Sequence, residues 1–484
     1  MTDILNLEPK AVWSHFADFC NIPHPSGHEQ KIARYLCDFA AKNNLECSIE
    51  ECGNVIIKKK ASQGCENRAC VILQAHIDMV PVAAKGVKHD FLKDPIVPVI
   101  KSDGFVHASG TTLGADDGIG ACTILALLED NSLALGDLIA IFTIEEETTM
   151  KGALSLNPQI LQKGDYLINL DSEEDDYLIV SCAGSSDINL TYNAQKIDVE
   201  DTKSFTVTLN GLEGGHSGAD IHLGRANAAE VISALLLNVS ENVCDLFLAD
   251  FNAGHVRNSI PSEAQVTVAV PTVQSADFTT ALNKSFAVYK DLYKNTDPNM
   301  TLQIEDSNSC KVFGFTDTQV FLSLIRTLPL GVSRYWDVDP TIVETSVNLG
   351  LVKSNDNSLS LCLMPRSLKE SGLDDITDKI SAYCNVVDNL EMEIANRHPC
   401  WESPSDNALI QKLKRHYKDI TGRDMIVTAI HAGLECAMFA PKNPHLQLVS
   451  IGATIKNPHS PFERVAIEGT KNVYETVKRT LSEL

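Results

Sequence analysis

The segment CVILQAHIDMVP (residues 70–81) joins a short apolar run to a His-x-Asp pair. Residues 70–73 predict a buried strand, because a brief continuous apolar run bounded by polar residues suits a strand covered on both faces. His76 and Asp78 are two residues apart, so on an extended backbone they share one side. An imidazole and a carboxylate at a strand end suit a metal site in which the Asp orients the His.

Other strand ends carry the same chemistry. Residues 138–144 predict a buried strand that runs into Glu145, Glu146 and Glu147, and residues 166–170 predict another that runs into Asp171. FVHASGTTLGADDGIG (105–120) places Asp116 and Asp117 at a glycine-flanked turn opening an apolar helix. Strands alternating with helices predict an α/β fold with a mostly parallel, mixed sheet. Such sheets bind ligands beyond the carboxyl ends of their strands, and every one of these clusters falls at that edge. The acidic run at 173–176 reads as a solvated loop.

Near residue 198 the texture changes. FTVTL (205–209) alternates like a half-exposed antiparallel strand, and an α+β pattern continues to about 397. After residue 398 the α/β pattern returns, with a helix at 407–421, a strand at 446–451 and a closing helix at 466–481. The predicted organisation is one α/β domain in two parts, 1–197 and 398–484, interrupted by an inserted α+β module at 198–397.

The chain has 484 residues and a formal charge of −24, which argues against nucleic acid or an anionic membrane as partner. MTDILNLEPKAVW, at the start, is neither basic nor followed by a long apolar core, so no signal peptide is expected there. No apolar stretch is long enough for a membrane span. Fourteen cysteines lack CxxC or zinc-ribbon spacing; in a chain without a signal these read as reduced thiols in a cytoplasm.

The pooled candidates are His76, Asp78, Asp116, Asp117, Glu145, Glu146, Glu147, Asp171 and, in NPHSP (457–461), His459. Histidines with carboxylates suit zinc, manganese or cobalt in a mixed nitrogen and oxygen site. Two His and three or more carboxylates suffice for two metals about 3.5–4 Å apart, bridged by a carboxylate and a water. A further carboxylate must then take the water's proton and pass it to the leaving amine.

QAHIDMV, TTLGADDGIG, FTIEEETTMKGA, NLDSEE, GGHSG, RNSIP and NPHSP occur in this order along the chain. Together they resemble the dinuclear-zinc aminopeptidase-like hydrolases of the aminoacylase and carboxypeptidase branch. IPHPSGHE, HDFLKDPI, GLEGGHSGADIHLG and IHAGLEC are similar to its dipeptidase subgroup in particular. The resemblance covers essentially the whole chain. It implies a zinc-aminopeptidase-like catalytic domain and metal-dependent hydrolysis of dipeptides with broad specificity, Xaa-His dipeptides included, by a metal-bridged water.

It also implies roles. His76, Asp116, Glu147, Asp171 and His459 would hold two zinc ions per subunit, with manganese or cobalt as substitutes. Asp116 would bridge them, and its peptide to Asp117 would be cis. Asp78 would orient His76, and Glu146 would be the general base. The family pattern places the working pair at Glu146 and Glu147 through Gly152-Ala153, leaving Glu145 as an extra acid. Thr149 stands where the pattern has glycine, and Asp117 where relatives often carry Asn. The inserted module would be a lid domain, in which His216 would hydrogen-bond the developing oxyanion, a contribution of about 3–4 kcal/mol. Asn258 would hold the substrate backbone, Arg366 (MPRSL) would receive its free carboxylate, and Gly433, opening a helix after His431 in IHAGLEC, would present backbone N–H groups to the same carboxylate. Relatives are commonly homodimers. One alternative is an N-acyl-amino-acid deacylase on the same scaffold. Another is a binding protein on a dead hydrolase frame, against which stands the presence of every ligand and the base.

Overall fold

Val71–His76 and Leu138–Thr143 are buried at every position, as strands covered on both faces must be. They pair in parallel, His76 opposite Thr143. Tyr166–Asn169 joins them in parallel on one side, and Gln447–Ser450 pairs in parallel with Tyr166–Asn169. These four parallel strands all end at one edge. The flanks are antiparallel: Glu46–Ile49 and Val55–Lys59 extend the sheet beyond Leu138–Thr143, and Tyr177–Cys182 and Trp401–Glu402 beyond Gln447–Ser450.

The computed structural model describes residues 3–404 and 406–484. The chain forms two compact units. The first comprises Met1–Cys182, Trp401–Ala429 and Leu434–Leu484; the second comprises Ala183–Cys400 and Ile430–Gly433.

In the first unit the helix Ala115–Glu129 packs against Val71–His76 and against the helices Lys10–Asn21 and Ile467–Glu483. All but two of its residues are buried, which is why its apolar residues run all round rather than along one stripe. A smaller antiparallel sheet joins Arg464–Ala466 to Phe105–Ala108 and so brings a late segment beside an early one.

The second unit is built on a nine-stranded sheet whose pairings are all antiparallel, packed with the helices Ala228–Asn242, Ser275–Leu292, Phe315–Thr327 and Glu370–Ser381. It begins earlier than the boundary at 198 read from the sequence. Gly184–Asn193 pairs with both Ser358–Ser367 and Leu390–His398. Its polar composition (GSSDINLTYN) hides an alternating buried face. The Ala183 N–H also donates to the carbonyls of Ile430 and Ala432, so residues 430–433, Gly433 among them, belong to this unit.

Candidate metal centre

His76 closes its strand with its side chain buried. Its Nδ1 lies 3.0 Å from the backbone oxygen of Asp78; a proton held there leaves Nε2 with a free lone pair. That nitrogen faces Asp116 Oδ1 at 3.1 Å and Asp171 Oδ1 at 3.5 Å. The second Asp116 oxygen, Oδ2, is 3.1 Å from His459 Nε2, which is 2.8 Å from Glu147 Oε2.

Two groups result, His76–Asp116–Asp171 and Asp116–Glu147–His459, each with ligand atoms within 4.8 Å of one another. Asp116 belongs to both and offers a different oxygen to each. Glu146 joins His76 and Glu147 in a third such group, so it reaches the same place.

The residues fit a pair of divalent ions. The donor set is two imidazoles with carboxylates and no thiolate, the chemistry of zinc, manganese or cobalt sites. Glu147 Oε1 is buried without a hydrogen-bond partner, which a cation would satisfy. Burial raises the Glu146 carboxyl well above its usual range against the pull of His76. Burial likewise lifts Asp171 to about 6 and, with Asp116 beside it, Glu147 to about 7. Burial lowers the imidazoles, yet Asp171, Asp116 and Asp78 outweigh it at His76, and Asp116 and Glu147 carry His459 to about 11. Crowded acids and protonated imidazoles form the arrangement from which an arriving metal displaces protons.

Local backbone positions these groups. Gly114 and Glu145 both take left-handed φ, +71° and +50°. Glu145 turns the chain from the strand Leu138–Thr143 into the short helix Glu146–Thr149, and Gly114 leads into a kink where Asp116 and Asp117 take non-helical φ/ψ before the buried helix runs on. The Asp116–Asp117 peptide is cis, as the family resemblance implies. The Asp78 carboxylate accepts the Glu146 N–H at 3.0 Å, the Glu147 N–H at 3.3 Å and the Ser26 hydroxyl at 2.8 Å, and lies 3.4 Å from His76 Nδ1. It therefore holds the turn bearing both glutamates as well as the imidazole. Glu145 points elsewhere, to Lys151 at 2.6 Å. Asp117 is buried, with Oδ2 unpartnered.

Three participants escaped sequence reasoning. Ser26 is the hydroxyl on Asp78. Glu435 is fully buried and accepts from Gln74 Nε2 at 2.5 Å and the Thr143 hydroxyl at 2.7 Å. Gln74 Oε1 in turn accepts from Asn169 Nδ2 at 2.6 Å, so one network joins the strands ending at His76, Thr143 and Asn169. Glu463 is the third. A correction also applies at 173–176: Asp175 is buried rather than solvated. It accepts from Thr454, Asn472, Tyr417 and Arg423, four partners from distant segments that make burial of a carboxylate tolerable.

The remaining candidates lie in the second unit. His216 sits in the two-residue bridge Gly215–His216, which pairs with Ser259–Ile260. Its Nδ1 accepts the N–H groups of Gly218 and Ala219, at 3.3 and 3.1 Å. Asn258 is beside it, its carbonyl accepting the Ser217 N–H. Arg366 is 6% exposed, donates to the Ser217 hydroxyl at 3.3 Å, and among the described residues has no carboxylate within 4.0 Å. Burial lowers its guanidinium to about 10. Gly433 does not open a helix as read from IHAGLEC, since the helix there begins at Cys436.

Residues 72–483 match the profile of peptidase family M20/M25/M40. The chain is 36% identical, over 491 aligned positions spanning 100% of it and 99% of the relative, to the cytosol non-specific dipeptidase of Escherichia coli (strain K12). The crystal structure of aminoacylhistidine dipeptidase from Vibrio alginolyticus superposes with a TM-score of 0.85 at 35% identity, covering 100% of this chain and 99% of that one. An aminopeptidase from Bacillus cereus shares the fold at 13% identity, with a TM-score of 0.58 and 99% of each chain covered.

Proposed function

This chain belongs to peptidase family M20/M25/M40, and on that premise we propose that it is a dinuclear metallo-dipeptidase of broad specificity, Xaa-His dipeptides included. The observation that carries the reading is Asp116, whose two oxygens face imidazoles 383 residues apart in sequence, His76 and His459. His76, Asp116 and Asp171 would hold one zinc ion, and Asp116, Glu147 and His459 the other. Zinc bound there supplies a polarised peptide carbonyl and a water of lowered pKa.

The protein's own groups do the rest. Glu146 takes the water's proton and delivers it to the departing amine, its backbone N–H fixed on Asp78. His216 donates to the oxygen on which negative charge develops, and Asn258 holds the substrate backbone. Arg366, buried without a carboxylate of its own, receives the free α-carboxylate of a dipeptide through its planar fork. A cytoplasmic setting accords with fourteen cysteines that have neither CxxC nor zinc-ribbon spacing. A homodimer accords with Val288 and Leu292, exposed together on the helix Ser275–Leu292.

A substrate panel tests the reading: dipeptides including Xaa-His, tripeptides and N-acyl amino acids, each with zinc, manganese or cobalt and with a chelator. Dipeptides alone should be cleaved, and only with metal. Turnover of N-acyl amino acids in preference to dipeptides would make it a deacylase.

A further inference from the structure

Glu463 has no part in the chemistry above, yet it is 3% exposed and its carboxylate accepts four successive backbone N–H groups. Oε2 receives those of Leu113 at 2.6 Å and Gly114 at 3.1 Å; Oε1 receives those of Ala115 at 2.7 Å and Asp116 at 3.3 Å. The turn is shaped for this. Gly114 is left-handed, and a Cβ there would meet Met79 Sδ at 2.9 Å, so glycine is favoured both by conformation and by space.

Four inward-facing amides in a buried loop need acceptors, because a buried N–H left unpaired loses the hydrogen bond it had to water. A single carboxylate supplies all of them. Its origin matters: Glu463 follows His459 by four residues and directly precedes Arg464–Ala466. The pairing of that strand with Phe105–Ala108, Arg464 opposite His107, sets the two loops side by side.

We propose that Glu463 is a positioning residue: it locks the loop carrying Asp116 to the loop carrying His459, so that the half-site these two share with Glu147 is assembled before metal arrives. The inference rests on the dinuclear reading above, and the experiment separates the two.

Amide exchange across residues 113–116 is measured in the metal-free and zinc-loaded wild-type protein. Slow exchange in both is expected; fast exchange that becomes slow only with zinc would overturn the proposal, because the metal would then be ordering the loop. Zinc titration of E463Q is the second arm. The amide keeps one acceptor and turns an NH2 group against two backbone donors, so zinc affinity should fall at least tenfold. Its kcat at limiting zinc should fall with KM little changed, and excess zinc should restore it by mass action. Wild-type zinc affinity in E463Q would sink the idea. So would lost turnover in folded E463Q that excess zinc does not restore, since the loop lock would then not act through metal binding. If E463Q does not fold, the wild-type exchange still decides. Failure of the wild-type protein to bind zinc would instead remove the dinuclear reading, leaving the loop lock to be judged on exchange alone.

Discussion

Asp78 touches the imidazole at one end and the general base's backbone at the other, so its replacement separates rate from metal. Asp78→Asn turns an amide NH2 toward the backbone donor of either Glu146 or Glu147, which bond different carboxylate oxygens. Turnover should fall sharply while most metal is retained. His76→Ala should lose a metal outright, since among the described residues it is the one imidazole grouped with Asp116 and Asp171. Glu146→Gln should lower kcat by about 10²–10⁴-fold with metal content near normal; metal analysis beside steady-state kinetics distinguishes the three. These residues were legible because strand ends and glycine turns leave local signals. Ser26, Glu435 and Glu463 were not. Each is a lone polar residue whose partner lies 52, 361 and about 350 residues away, and nothing local in the sequence reports such a pairing.

At the scale of elements, the buried parallel strands announced themselves through unbroken apolar runs. Gly184–Asn193 did not, because one face of an antiparallel strand stays polar. The apolar helix Ala115–Glu129 was legible too, but the contact that seats its far end was not. Asp130, just past that end, receives Lys478 of the helix Ile467–Glu483 at 2.8 Å, and the Ser132 hydroxyl and N–H. Against the upward push of burial, these partners hold its carboxyl down to about 2. A carboxyl lowered by folding contributes stability that is complete above about pH 4 and is lost as pH falls through about 2. Asp130→Asn should therefore cost about 1–2 kcal/mol at pH 7 and almost nothing near pH 2, read from urea unfolding at the two pH values.

At the scale of the whole molecule, proposed metal ligands and proposed carboxylate receptor belong to different units, so their substitutions should give separable phenotypes. Arg366→Ala should raise KM for free dipeptides at least tenfold and abolish the preference over C-terminal amides. Zinc content should stay unchanged. A matching loss of zinc would return Arg366 to a purely structural role. The change of texture near 198 falls 15 residues inside the second compact unit, and its reversal near 398 falls close to that unit's end at Cys400. The exact seam was not legible, because the strand Gly184–Asn193 and residues 430–433 follow partners made far away in sequence.

The central sheet also imposes an order on synthesis. Gln447–Ser450 lies between Tyr166–Asn169 and Tyr177–Cys182, so a ribosome must make 268 further residues after Cys182 before that place is filled. At about 5–20 residues per second, the nascent first unit waits about 13–54 s with two apolar strand edges open. During that interval the chain is exposed to edge-to-edge association with its neighbours on a polysome, a hazard that ends only when its last tenth emerges.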